Sequence, residues 1–498
     1  MTRDNVIRIP SEPVACGNFV GGKWVFPKGE VTELRSPYSG TVVGRLHQSG
    51  AGDVDEAVRA ASKAAAEWRK TPIKERCSVL MRFREVLLRD LDRLAHSAAL
   101  EAGKTHAEAR AGLLKGIEVL EFALSLQNLD QAGKMEVSRG VSCEYRRDPL
   151  GVVAGITPFN FPAMVPMWMI PIAIAVGNAF VWKPSDKTPL TSIPLANAAK
   201  EAGIPDGVLT VVQGGRATVE AILDHPGISA AGFVGSSAVA RSVYLRGSTA
   251  GKRVLALGGA KNHIILMPDA DPEMASRGIT DSYTGCAGQR CMAASVLLAV
   301  GDPNLIDPIL EQIVAKSRQI KLGSDMGALI TRESRDKLAQ AIDRAKSAGA
   351  RVLLDGREAP APSEFKGGNW LAPTILDGVK PGSEAACDEL FGPILSVIRV
   401  RTLSEALAIQ NQSKYGNAAS VFTSSGAIAQ RVSEESHAGM IGINIGVPVP
   451  REPFSFGGIG DSRFGHGDIT GHEGVAFWSQ LRKVTTKWIQ SQDHNWMS

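Results

Sequence analysis

Cys291 sits in the run Gly285-Cys286-Ala287-Gly288-Gln289-Arg290-Cys291-Met292, a glycine-flanked turn that sets one thiol beside a guanidinium. A thiol reacts as its thiolate, and an adjacent cation in a polar, partly open loop lowers the cost of ionising it, whereas apolar burial raises that cost. The expected chemistry is nucleophilic addition to an electrophilic carbon. Free cysteine is also among the most buried residue types, so the thiol needs companions before it reads as a nucleophile.

Two short loops supply companions. Gly235-Ser236-Ser237 directly precedes a helical stretch, where unpaired backbone N–H groups and the helix dipole suit a pyrophosphate; the plainer reading is a serine N-cap. Lys183 and Asp186 follow an apolar run, and a cation with a carboxylate three residues on suits the two hydroxyls of a ribose. An acid there disfavours a 2′-phosphate and so points to NAD over NADP. Against this, Lys187 blunts the charge, and Asp186 is equally placed to cap a helix beginning near Pro189. No Gly-x-Gly-x-x-Gly follows the first strand of the alternation described next, so a dinucleotide rests on these loops alone. His466 and His472 lack an acid-rich neighbourhood, and no metal site is expected.

The elements that must position these groups follow from periodicity. Apolar residues recur at helical spacing over 79–88 and 113–126, which predicts helices across 53–126. Residues 135–147 are polar and β-branched around Gly140, which predicts a hairpin whose exposed edges suit pairing with another chain. From Leu150, apolar runs at 150–156, 179–182, 208–212, 230–234 and 253–257 alternate with helical stretches at about 163–176, 191–202, 216–224 and 236–246. That order predicts a parallel sheet covered on both faces, with ligands at the carboxyl ends of its strands. The loops there are 157–160, 183–186, 213–215, 235–237 and 258–260. A second α/β region is expected from about 294 to 445, with strands at 295–300, 394–400, 418–422 and 440–444. The tail at 476–488 turns β-like again and suits pairing with the hairpin.

Composition removes several classes. A chain of 498 residues should form two or three domains. Its 44% hydrophobic and 21% charged residues are ordinary globular usage, and a net charge of +4 without basic blocks leaves no footprint for nucleic acid. Six cysteines without a Cys-x-x-Cys pair fit a reducing compartment, and residues 1–10 hold no apolar run, so a cytoplasmic location is expected. Residues 163–181 carry no charge, yet Pro166, Pro171, Gly177 and Asn178 make a buried helix and strand more economical than a membrane span.

Five motifs in order, Pro158-Phe159-Asn160-Phe161-Pro162, Trp182-Lys183-Pro184-Ser185, Gly232-Phe233-Val234-Gly235-Ser236, Gly288-Gln289-Arg290-Cys291 and Glu389-Leu390-Phe391-Gly392-Pro393, resemble the aldehyde dehydrogenase superfamily over essentially the whole chain. Through Gly259-Ala260-Lys261-Asn262-His263, Gly288-Gln289-Arg290-Cys291-Met292-Ala293 and Pro453-Phe454-Ser455-Phe456 the chain is most similar to the coenzyme A-acylating methylmalonate-semialdehyde dehydrogenase branch. The resemblance implies an α/β, aldehyde dehydrogenase-like fold. It comprises a Rossmann-type NAD-binding domain (1–130 and 150–260), an α/β catalytic domain (261–455) and oligomerisation strands (131–149 and 476–495) of a homodimer or homotetramer.

It also implies roles. Cys291 would add to an aldehyde carbon, with the oxyanion held by Asn160 and a backbone N–H near Cys291. Thr157, Phe159, Lys183, Asp186, Lys187, Ser236, Glu389 and Phe391 would line the NAD site, with Glu389 on the nicotinamide ribose. Relatives that hydrolyse the acyl-enzyme carry a Glu at the start of a Glu-Leu-Gly-Gly-Lys run. Aligned on Lys261, that position is Leu257, which cannot activate water. A thiol nucleophile such as coenzyme A needs less help, so thiolysis is expected over hydrolysis. The acylating branch often has Asn there, so Leu257 departs even from the closer pattern. The expected reaction is oxidation of methylmalonate or malonate semialdehyde to an acyl-coenzyme A with decarboxylation; the alternative is a hydrolytic dehydrogenase for another small aldehyde. For the substrate carboxylate the candidates are Arg290, through a bidentate pair, and Lys115, where the branch typically carries Arg and the forked geometry is lost. The plainer reading of Lys115 is a helix residue paired with a nearby acid.

Overall fold

The computed structural model describes residues 7–129 and 132–488; expectations that reach residues 1–6, 130–131 and 489–495 lie outside the described residues. Most of the strands lie in two sheets. The first has eight strands in the spatial order Arg463–Phe464, Arg253–Leu257, Ala230–Val234, Val152–Ile156, Ala179–Lys183, Leu209–Val211, Asn18–Val20 and Lys23–Val25. Its five middle strands are parallel, and the two flanking additions at 18–20 and 463–464 are antiparallel. The parallel strands begin at Val152–Ile156, move out through Ala179–Lys183 and Leu209–Val211, then cross to the opposite side at Ala230–Val234. The crevice at such a reversal is where open α/β sheets take their ligands, and the loops at 157–160 and 235–237 flank it.

All five residues of Val152–Ile156, Ala179–Lys183 and Ala230–Val234 are buried, as expected of strands covered on both faces. Between the first two lies the helix Met164–Ala175, buried at every position after Met164. At about 1.5 Å per residue it spans about 18 Å, and among the described residues no helix is long and apolar enough to cross a membrane. Asn178, fully buried, fixes the following turn. Its Oδ1 accepts the N–H groups of Leu150 and Gly151 at 2.7 and 3.0 Å, and its Nδ2 donates to Trp478 O at 2.8 Å.

Four residues, Gly258 to Lys261, carry the chain from the first sheet into the second. There the order is Arg351–Leu354, Thr374–Asp377, Ile394–Val400, Ala294–Val300, Asn262–Leu266, Ala418–Phe422 and Met440–Ile443. Every pairing is parallel except the first. Asn262–Leu266, central here, is absent from the strands expected from periodicity, because it follows the preceding apolar run so closely. A third, antiparallel sheet pairs Ser479–Lys487 with Val141–Pro149 and that strand with Ala132–Ser138, so tail and hairpin do meet. Residues 476–477 belong instead to the helix Gly471–Phe477.

The expected helical block resolves into Ala51–Trp68, Ile73–Arg89, Leu91–Ala102 and His106–Ser125. The last begins with a capping box. The Glu108 N–H donates to Thr105 Oγ1 at 3.2 Å while the Thr105 N–H donates to Glu108 Oε2 at 3.0 Å, so two otherwise unpaired helix-end donors are satisfied.

Candidate active site

The nucleophile loop leaves the helix Pro272–Thr284 through three successive left-handed residues, Cys286 (φ 56°), Ala287 (φ 53°) and Gly288 (φ 67°). For the two non-glycine residues this conformation costs on the order of 1–3 kcal/mol each, and such strain persists only where its surroundings over-determine it. Here they do. The second carboxylate oxygen of Glu108 accepts the Cys286 N–H at 2.5 Å, and the Gln289 N–H donates to Cys286 O at 2.9 Å. At Gly288 any Cβ would lie 2.2 Å from the backbone carbonyl of Gly392, so only glycine lets the thiol loop and the 389–393 loop touch. Amides fix the far end: Asn262 Nδ2 and Asn417 Nδ2 donate to Cys291 O at 2.7 and 2.9 Å, and the Ile330 N–H donates to Gln289 Oε1 at 3.0 Å. The Asn160 amide, buried and donating to Gln289 O at 3.0 Å, stands over the same loop.

Burial pushes the Cys291 thiol up to about 12, and the nearby Glu389 carboxylate adds to the rise. The loop's own N–H, Arg290 and Lys104 pull the other way and lose. Arg290 acts in the direction expected from the sequence, but burial and Glu389 outweigh it and the net shift is upward. Sequence adjacency misled, because the Arg290 guanidinium turns away to the carbonyls that end the helix Pro272–Thr284, donating to Ser282 O at 2.9 Å and also to Asp281 O. It is a helix C-terminal cap, and it does not line the cleft in front of the thiol.

That cleft, of about 750 Å³, opens at the reversal of the first sheet and reaches Cys291 and Asn160. Thr157, Phe159, Lys183 and Asp186 line it, and so do Lys187, Ser236, Glu389 and Phe391. Lys183 is buried and donates to Gly214 O at 2.8 Å; burial pulls its ammonium down to about 8, with Asp186 opposing. Asp186 is exposed and caps nothing, since the next helix starts at Ser192. Ser236 is the N-cap residue of Ser237–Thr249, yet its side chain makes no capping hydrogen bond, which leaves its hydroxyl uncommitted at a helix N-terminus. Phe159 stands edge-on to Phe391 at 5.8 Å between ring centroids, with the Lys187 ammonium 5.3 Å from the Phe159 ring. Thr157 Oγ1 accepts from Trp182 Nε1 at 2.9 Å.

Glu389 closes the thiol end. Its Oε1 accepts the Ala260 N–H at 2.8 Å, and a Cβ on Gly259 would fall 2.3 Å from its other oxygen, so glycine there makes room for the carboxylate. Burial raises the Glu389 pKa, against the pull of the Ala260 N–H and Lys261.

The profile of the aldehyde dehydrogenase family matches residues 24–484. The chain belongs to that family. Among its relatives, malonate-semialdehyde dehydrogenase 2 of Geobacillus kaustophilus is 40% identical over 479 residues, 95% of this chain and 98% of that protein. Of solved structures, a methylmalonate-semialdehyde dehydrogenase of Oceanimonas doudoroffii superposes with a TM-score of 0.94 at 37% identity, covering 96% of this chain and 99% of the other. A protein of Sinorhizobium meliloti described as a methylmalonate-semialdehyde dehydrogenase and complexed with NAD does so at 0.94 and 36% identity, over 97% and 99%.

Within this family member, Leu257 ends the strand Arg253–Leu257 with 3% exposure and lies just before the cleft residues Gly258 and Gly259. Lys115 is a paired helix residue: its ammonium binds Glu118 at 3.1 Å and Glu452 at 2.9 Å. Lys115 is thus held by two carboxylates, and Arg290 Nη2 by helix-end carbonyls, while Arg290 Nε has no partner among the described residues. Sequence reasoning passed over Glu108, Asn262, Asn417 and Lys104. Of these Glu108 had a signal in the Thr-x-x-Glu of its capping box, which said nothing of its second oxygen, and Asn262 lay in the Gly259-Ala260-Lys261-Asn262-His263 motif, which assigned it no role.

Proposed function

We propose that the protein is an NAD-dependent dehydrogenase that converts malonate or methylmalonate semialdehyde to an acyl-coenzyme A with loss of the carboxylate. The observation that carries this reading is a built thiol site with leucine where a water-activating acid would stand. The substrate class follows the names of the relatives above.

Cys291 Sγ, its proton passed to water in the cleft, forms the bond to the aldehyde carbon as the C=O electron pair moves to oxygen, and the negative oxygen that results is held by the Asn160 amide and the Cys291 N–H; such donors are commonly worth about 3 kcal/mol each. The residues of the cleft fit NAD. Lys183 and Asp186 would take the adenine ribose, Ser236 and the N–H groups opening Ser237–Thr249 the pyrophosphate, and Glu389 the nicotinamide ribose, with Thr157, Phe159, Lys187 and Phe391 around them. NAD, when bound, supplies the oxidant for the aldehyde carbon and a positive charge beside a thiol that burial keeps protonated. The acyl thioester left on Cys291 is then attacked by the thiolate of coenzyme A, which returns the Cys291 sulfur. The β-carboxylate departs as carbon dioxide because the thioester carbonyl accepts the electron pair as an enolate, which water protonates.

The raised Glu389 carboxylate near the thiol favours one rival, a hydrolytic enzyme with Glu389 as base. NADH formation from a panel of aldehydes, with and without coenzyme A, separates the two. The reading predicts sustained turnover only with coenzyme A and a preference for semialdehydes, and equal rates without it would overturn it. We also read the three-stranded sheet, which exposes Met135, Val137, Tyr145 and Leu481, as the contact surface of a homodimer or homotetramer in the cytoplasm. Sedimentation of a Met135→Asp, Val137→Asp variant as monomer supports that, and an unchanged assembly refutes it.

A further inference from the structure

Gly258 and Gly259 open the short crossing between the two large sheets, and neither has room for a side chain. A Cβ would fall 2.4 Å from Asp461 O at Gly258 and 2.3 Å from Glu389 Oε2 at Gly259. Glycine is the residue with the most backbone freedom, so two in succession define no direction by themselves. Two serine hydroxyls supply it. Ser237 Oγ accepts the Gly259 N–H at 2.9 Å and donates to Asp461 O at 2.6 Å. Ser462 Oγ donates to Gly259 O at 2.7 Å and accepts the Gly416 N–H at 3.2 Å. Each hydroxyl gives its one hydrogen and receives one, and the peptide groups on both sides of Gly259 are held.

The second of these peptides reaches the cleft. Gly259 O and the Ala260 N–H belong to one planar group and point in opposite directions, so the hydroxyl that holds the oxygen also aims the N–H. That N–H donates to Glu389 Oε1 at 2.8 Å, which leaves Oε2 as the oxygen for a ribose hydroxyl. Glu389 lines the cleft, whereas Ser237 and Ser462 do not, and Ser462 is only 2% exposed. The main chain already staples this place. Arg463–Phe464 pairs with Arg253–Leu257 in the first sheet, Ile459–Gly460 pairs with Tyr415–Gly416 at the entry to Ala418–Phe422 in the second, and the Gly258 N–H donates to Ser462 O at 2.8 Å. The hydroxyls are not what joins the sheets; they add direction at Gly259.

We propose that Ser462 and Ser237 are positioning residues for the nicotinamide end of NAD: by fixing the peptides on either side of Gly259 they aim the Glu389 carboxylate at the nicotinamide ribose. This rests on the placement of NAD proposed above. It separates the two serines of the 235–237 loop, Ser236 facing the pyrophosphate and the Ser237 hydroxyl serving the far end of the same cofactor.

The test is calorimetry of the full chain with NAD and with ADP, which carries the adenosine and pyrophosphate and lacks the nicotinamide ribose. Ser462→Ala should weaken NAD by about tenfold, the scale of one hydrogen bond to a charged group, and leave ADP within about twofold, the scatter of a substitution that touches no contact of the ligand. Ser237→Ala removes a bond between neutral groups, so it should lower the ratio of NAD to ADP affinity about threefold; it also guards against a Ser462 variant that does not fold. Glu389→Ala should itself lower the ratio, and adding Ser462→Ala to it should lower the ratio no further, because both act through one carboxylate. If Glu389→Ala leaves the ratio unmoved, the placement of NAD fails and takes this inference with it. If Glu389→Ala lowers the ratio and the folded serine variants do not, the serines alone are refuted. Equal weakening of NAD and ADP, or a Ser462→Ala effect that survives in full without Glu389, marks the serines as merely structural and also refutes the proposal.

Discussion

Leu257→Glu puts a carboxylate where this chain has none, and it should convert the second half-reaction. The side chain ends a strand of the first sheet at 3% exposure, two residues before Gly259, whose missing Cβ makes room for Glu389. Replacing leucine gives up about 1.5–3 kcal/mol of apolar burial. Desolvation of the new carboxylate adds to that cost and raises its pKa toward neutrality, which suits a base. General-base assistance is worth about 10²–10⁴-fold, or about 3–5 kcal/mol at 1.36 kcal/mol per decade. The assay is NADH formation from propanal without coenzyme A. Wild type should stop after one equivalent per site, and the variant should continue, at a melting temperature several degrees lower. A variant that melts cooperatively, binds NAD and still stops at one equivalent would refute the argument that the missing acid at 257 decides the fate of the acyl-enzyme.

Three further outcomes are expected. Asn160→Ala should lower kcat by about 10²–10³-fold, the cost of one oxyanion donor, while melting shifts little; a fall in melting temperature without loss of kcat would make Asn160 a structural residue. Without NAD, Cys291 should be alkylated by iodoacetamide at a rate that keeps climbing toward pH 12 instead of levelling near the free-thiol value of about 8.5. Glu389→Gln removes a charge that raises the thiol, so it should alkylate faster at any given pH, and a slower reaction contradicts the assigned sign. Lys183 is pulled down by burial from 10.5 to about 8, so its destabilising contribution is fully present below pH 8 and is gone above pH 10.5. Lys183→Met should therefore weaken NAD binding in calorimetry, yet unfold at higher denaturant than wild type at pH 7, with the gain shrinking from pH 8 to 10.5. A gain independent of pH would point to packing instead.

The middle strands of the first sheet were legible to within two residues because each is a short run, buried throughout except at Arg253, bounded by glycine, proline or a polar turn. Asn262–Leu266 was hidden because four residues separate it from the previous strand and no helical period intervenes. The N-terminal strands, three to six residues long with several exposed positions, carry no such run. For the site, motif residues on loops at strand ends could be placed because topology brings such loops together. Side-chain direction could not. Arg290 adjoins the nucleophile in sequence and faces a helix end, whereas Glu108, 178 residues from Cys286, holds the nucleophile loop.

The central claim is that Cys291 forms an acyl-enzyme that a thiol, not water, releases. Wild type mixed with excess NAD and malonate semialdehyde, without coenzyme A, should yield one NADH per site and an acyl adduct on the peptide bearing Cys291 by mass spectrometry. Added coenzyme A should then clear the adduct and restore steady turnover. Continuous NADH formation without coenzyme A, or an unmodified Cys291 after the burst, would contradict the account.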